Sequence, residues 1–243
     1  MKTLSFAVCL SALLAGAVQS STNVYEPVQY LPGPLNLKGI ATGFSAPWAA
    51  EPGVVVVPAG LSSPLALPSM GGSVSGFFNF VDPLTNNIAP SPGTEFWASF
   101  LLYHSGPNDQ AFMGLAPAGT SLGSLPSAAF GVRLGQYGIF IGGAFFAAPT
   151  AFTPNGSTDL LVTHFVAGVG IWTVSLYVNP AAFGVPDLVL AVPGSSYGTM
   201  VNHNQAEFGS DEFRIGDTAG DVAVAGVTPA LGATWGRVKA QYR

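Results

Sequence analysis

Charge is scarce in this chain. Asp, Glu, Lys and Arg together make up 8% of 243 residues, against about a quarter in an ordinary soluble domain. Seven Lys and Arg face twelve Asp and Glu, giving a formal charge of −5 and a pI near 4.9. After Lys2 the basic residues are dispersed, apart from Arg237, Lys239 and Arg243. A phosphate backbone needs a basic patch, so nucleic acid is excluded as a partner. The single cysteine, Cys9, lies inside an apolar N-terminal run, so the segment after residue 20 has no disulfide framework and no thiol nucleophile. Gly-x-Ser-x-Gly is absent, and no glycine-rich run leads into Lys-Ser or Lys-Thr, which removes the nucleophile elbow and the phosphate loop. His104, His164 and His203 are far apart in sequence, without the spacing of a transition-metal site. Segments with a helical period are also missing beyond residue 20.

Glycine (31), proline (20) and aromatic side chains (12%) are plentiful. Short apolar runs punctuated by Gly and Pro describe many strands joined by turns. Residues 1–20 read as a secretory signal peptide: Lys2 begins a basic n-region, an apolar stretch follows, and small residues at 15–20 offer a cleavage site. The apolar run is too short to span a membrane. Residues 21–243 read as one domain, a usual length for a single β-sandwich.

Strands are expected at residues 24–30, 54–57, 74–81, 95–103, 111–115, 160–166, 171–178 and 188–192, with a hairpin over 130–134 and 137–141 turning at Gly135-Gln136. Residues 95–103 are almost wholly apolar and fit a central strand. Residues 193–204 read as a polar loop. In residues 207–216, Phe213 and Ile215 alternate with Glu212, Arg214 and Gly216, the pattern of a half-buried late central strand. Residues 236–243 alternate as a closing strand with a basic outer face.

Three stretches carry a family likeness: Tyr25-Glu26-Pro27 through Gly43-Phe44-Ser45 to Trp48; Phe96-Trp97-Ala98-Ser99-Phe100-Leu101; and Val174 to Pro180 followed by Asp211-Glu212-Phe213-Arg214-Ile215-Gly216. In order and spacing the chain resembles bacterial secreted relatives of the concanavalin A-like lectins and laminin-G-like jelly rolls. The resemblance implies an all-β, two-sheet antiparallel jelly-roll sandwich with a face that relatives use for glycans. Relatives with a sorting tail end in a Val-Pro-Glu-Pro-like motif and an apolar helix, which are not found here; a released protein is the expectation.

Catalytic relatives carry Glu-x-Asp-x-Glu on one strand, and this chain does not. Asp211 and Glu212 are adjacent and would point to opposite faces of a regular strand. Glu207 and Asp211 are the best remaining pair for glycoside hydrolysis. The reading is therefore a non-enzymatic, extracellular binding module for a glycan or cell-surface polymer, with a structural or adhesive protein that self-associates as the alternative and a glycoside hydrolase third. Sugar recognition uses aromatic platforms with a few amides, and the best-placed candidates are Tyr177, on the polar face of its strand, with Tyr197, Asn202 and Asn204 in the polar loop. Calcium takes oxygen ligands in loose geometry. Asp211 and Glu212 are its candidate ligands, with Asp82, Asp109, Asp217 and Asp221 further possibilities. Asn155-Gly156-Ser157 is read as a turn.

Overall fold

The computed structural model describes residues 24–62, 65, 71–76, 79–106, 110–204 and 208–223. Sixteen strands run through them: β1 (Val24–Glu26), β2 (Gly33–Pro34), β3 (Ala49–Ala50), β4 (Val55–Val57), β5 (Ser73–Gly76), β6 (Phe80–Ile88), β7 (Glu95–His104), β8 (Gln110–Ala116), β9 (Ala128–Arg133), β10 (Gln136–Ile141), β11 (Ala144–Ala147), β12 (Thr158–Ala167), β13 (Ile171–Val178), β14 (Leu188–Pro193), β15 (Tyr197–Asn204) and β16 (Phe208–Gly216). One short helix, α1 (Ala219–Ala223), follows. All pairings are antiparallel. A nine-stranded sheet has the order β14-β13-β12-β7-β16-β5-β4-β2, with β1 also paired to β16. A seven-stranded sheet has the order β11-β10-β9-β8-β15-β6-β3.

The two sheets stack over one apolar core. Phe96, Ala98, Phe100 and Leu102 of β7 point inward, as do Met113 and Leu115 of β8 and Phe130 of β9. Phe100 meets Phe130 across the gap edge to face, with ring centroids 5.4 Å apart. Trp48 packs on Phe80 of one sheet at 5.1 Å and on Phe213 of the other at 6.2 Å. This is the all-β antiparallel sandwich expected from the spacing of apolar runs and turns. β7 lies between β12 and β16 and is buried on both faces except at its ends, which is why its sequence carries no alternation.

Residues 74–81 do not form one strand. β5 and β6 belong to different sheets, so the chain crosses the sandwich there; Phe77 and Phe78 lie outside the described residues. The 193–204 loop is also corrected: residues 197–204 form β15, in the middle of the seven-stranded sheet between β8 and β6. Polar residues hid it, because Asn202 and His203 are buried among strands rather than solvated. The hairpin turns one residue earlier than expected, at Leu134-Gly135, both with positive φ (50° and 71°), matching the twist of the flanking strands. Residues 1–20 and the expected closing strand at 236–243 lie outside the described residues.

Candidate functional site

Strand periodicity turns Trp97 of β7, His164 of β12 and Tyr177 of β13 away from the core, onto the outer face of the nine-stranded sheet. Register then brings them together. His164 sits directly opposite Trp97, and Val162 opposite Tyr177. The imidazole stacks on the indole, with centroids 3.9 Å apart and planes 7° from parallel. Tyr177 lies 6.1 Å from Trp97. Phe183, in the connection between β13 and β14, folds back and meets Trp97 edge-on at 4.9 Å and Tyr177 at 5.2 Å. His164 Nε2 is 2.8 Å from Glu95 Oε2 at the start of β7. The bed of the cluster is buried (Trp97 7% exposed), while the Glu95 carboxylate is open (52%). Burial raises the Tyr177 phenol above its ordinary range, so its hydroxyl remains a neutral donor at physiological pH. Over the buried Trp97 and Tyr177, the arrangement offers the partly open His164 and Phe183 rings and one open carboxylate, a set suited to a neutral polyhydroxyl ligand. On its far side, α1 packs against β16 and β7, and Ser99 donates to the Val222 carbonyl at 2.6 Å.

A second polar group lies between the sheets. Asp159 Oδ2 accepts from Tyr137 (2.7 Å) and Thr153 (2.8 Å) and is 3.0 Å from His104 Nε2, while Asn179 donates to Oδ1 at 2.7 Å. Burial works to raise the Asp159 carboxyl, but the donors from His104, Asn179, Tyr137 and Thr153 outweigh it and hold it below the usual range. His104 is fully buried against Phe152, so this group ties β7, β10 and β12 together rather than meeting solvent. A third group joins Glu26 to Val28 N (2.6 Å), Tyr30 (2.5 Å) and Trp48 Nε1 (3.0 Å). Asp82 faces the same core from β6, and among the described residues neither of its oxygens has a hydrogen-bond partner. Burial, reinforced by Glu26, pushes its carboxyl up to about 8.

The predicted residues separate in space. Tyr177 is in the outer-face cluster. Tyr197 and Asn202 are on β15 in the other sheet, both buried, and Tyr197 packs edge-on against Trp172 at 5.4 Å. Their expected loop placement is corrected, because both point between the sheets and not to solvent. Asn204 ends β15. His203, also expected in the loop, is a strand residue whose imidazole burial holds below its usual range. Asp211 and Glu212 do not point to opposite faces. β16 bulges between Asp211 and Arg214, Glu212 adopts φ 53°, and the extra residue leaves both acids on the outer side. There Asp211 accepts from Leu61 N (2.9 Å) and Glu212 N (2.8 Å), and Glu212 pairs with Arg214 at 2.6 Å. Among the described residues no group of three His, Cys, Asp or Glu gathers as a metal site. Glu207 and Asp109 lie outside the described residues. Glu95, His164 and Phe183 escaped sequence reasoning. Their strands were legible, but the register that stacks His164 on Trp97 leaves no trace in either strand alone.

No family model and no curated protein matches this chain. Solved structures overlap it in part. Lectin II from Ulex europaeus is 12% identical, covers 80% of this chain and 97% of its own length, and gives a TM-score of 0.42. A Bacillus subtilis protein of unknown function with a galectin-like fold is 12% identical over 70% of this chain and 89% of its own, with a TM-score of 0.45. A carbohydrate-binding module from Bacillus subtilis is 10% identical over 70% and 94%, with a TM-score of 0.39. At such identities function has to be read from this chain's own residues.

Proposed function

We propose that this chain is a secreted, non-catalytic module that binds an extracellular glycan on the outer face of its nine-stranded sheet. The observation that carries the reading is the Trp97–His164 stack, walled by Phe183 and Tyr177 and flanked by the exposed Glu95 carboxylate. Sugar rings pack their C–H faces against the faces of aromatic rings, and a carboxylate with an imidazole fixes hydroxyls. The signal-like residues 1–20 support export, and the paucity of charge suits a neutral ligand. Among the described residues no helix is long and apolar enough to cross a membrane.

Retention on insoluble and soluble polysaccharides, run with and without EDTA, tests the reading. Phe183→Ala and Glu95→Gln are each expected to weaken retention on the order of tenfold, with thermal stability nearly unchanged for the exposed Glu95. Loss of binding in EDTA would bring calcium into the site. Retention unaltered in both variants would remove the site from this face, and no retention on a broad panel would overturn the glycan reading.

A further inference from the structure

We infer that Asn179 and Asp187 are positioning residues for the outer-face cluster: they fasten both ends of the 179–187 connection so that Phe183 lies across Trp97 and Tyr177. The consequence for ligand binding rests on the glycan reading of that face, whereas the placement of Phe183 does not.

The connection leaves β13 at Val178 and enters β14 at Leu188. In its middle Phe183 is the residue turned in. Ala181, Ala182, Gly184 and Val185 are exposed, while Phe183 is half-buried against Trp97 and Tyr177. A stretch with one anchoring ring among exposed neighbours has few buried contacts of its own and opens easily. Its conformation is therefore set by what fixes its two ends.

The first end is fixed by an amide. Asn179 adopts φ 48°, a left-handed conformation that Asn enters more readily than most residues, and this turns the chain out of β13. Its own N–H donates to the Leu160 carbonyl at 2.8 Å, its amide oxygen accepts from Leu160 N at 2.8 Å, and its amide nitrogen donates to Asp159 Oδ1 at 2.7 Å. The departing turn is thereby tied to β12 and, through Asp159, to His104 and Tyr137 between the sheets.

The second end is fixed by a carboxylate. Asp187 is the one charged residue between Gly168 and Pro193. Its Oδ2 accepts from Val178 N at 2.8 Å, its Oδ1 accepts from the Thr150 hydroxyl, and its own N–H donates to the Leu176 carbonyl at 2.8 Å. Asp187 thus closes the connection back onto the end of β13 and fastens it to the segment that runs from β11 to β12. With both ends held, the Phe183 wall is in place before a ligand arrives, and binding is spared the cost of ordering it.

Chymotrypsin digestion of the folded protein tests the placement without any glycan. Asp187→Ala and Asn179→Gly, in which glycine keeps the left-handed turn and removes the amide, are each expected to speed cleavage after Phe183 on the order of tenfold. Cleavage after the exposed Phe146 of β11 should match the parent. Asp187→Asn keeps an oxygen for Val178 N and a polar partner for Thr150, and is expected to behave like the parent. A parent-like rate after Phe183 in Asp187→Ala or Asn179→Gly would overturn the role of that residue. A rate raised equally after Phe146 would make it a general support of the fold and overturn the role as well. On a polysaccharide that retains the parent, Asp187→Ala is expected to weaken retention several-fold and to add nothing in the Phe183→Ala background, because both remove the same wall. Additive losses would overturn the inference. A parent that binds no polysaccharide yet shows the expected cleavage pattern would refute the glycan reading alone.

Discussion

Asp82 shows how one residue couples the core to pH. It is fully buried, and among the described residues its oxygens have no partner; burial, with Glu26 nearby, pushes its carboxyl up to about 8 in the folded state, whereas an unfolded chain would release the proton near 4. A carboxyl with a raised folded value carries a penalty that is absent at low pH and grows as pH climbs from the unfolded value through the folded one. Glu26, also raised mainly by burial, acts in the same direction. The depressed Asp159 acts oppositely, its stabilising contribution being lost only as pH falls below the ordinary carboxylate range. Stability is therefore expected to decline from pH 5 to pH 9, by on the order of a few kcal/mol. Asp82→Asn should flatten that slope in a series of thermal melts. A variant with the slope of the parent would refute the placement of Asp82 in this role. None of this was legible in sequence, where Asp82 stood among several aspartates as a loop or strand-end candidate for calcium.

At the scale of the element, the β9–β10 hairpin gives a clean test of turn chemistry. Leu134 adopts φ 50° and is well exposed. A largely exposed side chain therefore sits in a left-handed conformation that suits Asn or Gly better. Leu134→Asn is expected to stabilise the protein by about 0.5–1 kcal/mol in urea unfolding, with the m-value unchanged. A neutral or destabilising outcome would mean that the leucine has a contact worth more than its backbone strain. The hairpin itself was readable, since Gly135 between two apolar runs announces a turn. β13 was readable to the residue, because its alternation is clean. β15 was not. Its Asn202 and His203 are polar residues held inside a sheet, and local pattern reads such residues as loop. The Glu212 bulge was equally hidden, since an extra residue in one strand is defined against the partner strand, β7.

At the scale of the whole molecule, the sandwich stands on ring contacts between sheets. Phe100 touches Phe130 across the gap and lies parallel to Phe213 on its own sheet, at 6.0 Å. Phe100→Ala would open a cavity where neither sheet can collapse, and a loss of about 3–5 kcal/mol is expected. Because one core serves both sheets, far-ultraviolet and aromatic circular dichroism should then fall together at the same lowered temperature. Separate transitions would mean that the sheets are independently stable.

The all-β class, the central apolar strand and the inward Phe213 and Ile215 followed from the sequence by itself, because the two-residue period of a strand and the Gly and Pro between strands are local properties. Tertiary structure decided which strands are neighbours, and with that the site. Trp97 and His164 are 67 positions apart, and only the antiparallel register of β7 with β12 lays one ring on the other. The pairing of β15 with β6 and β8 in the other sheet likewise buries Tyr197 and Asn202, which their polar surroundings in sequence had set in solvent. Register is a relation between distant strands, settled by the packing of whole faces, and a single strand carries no record of it.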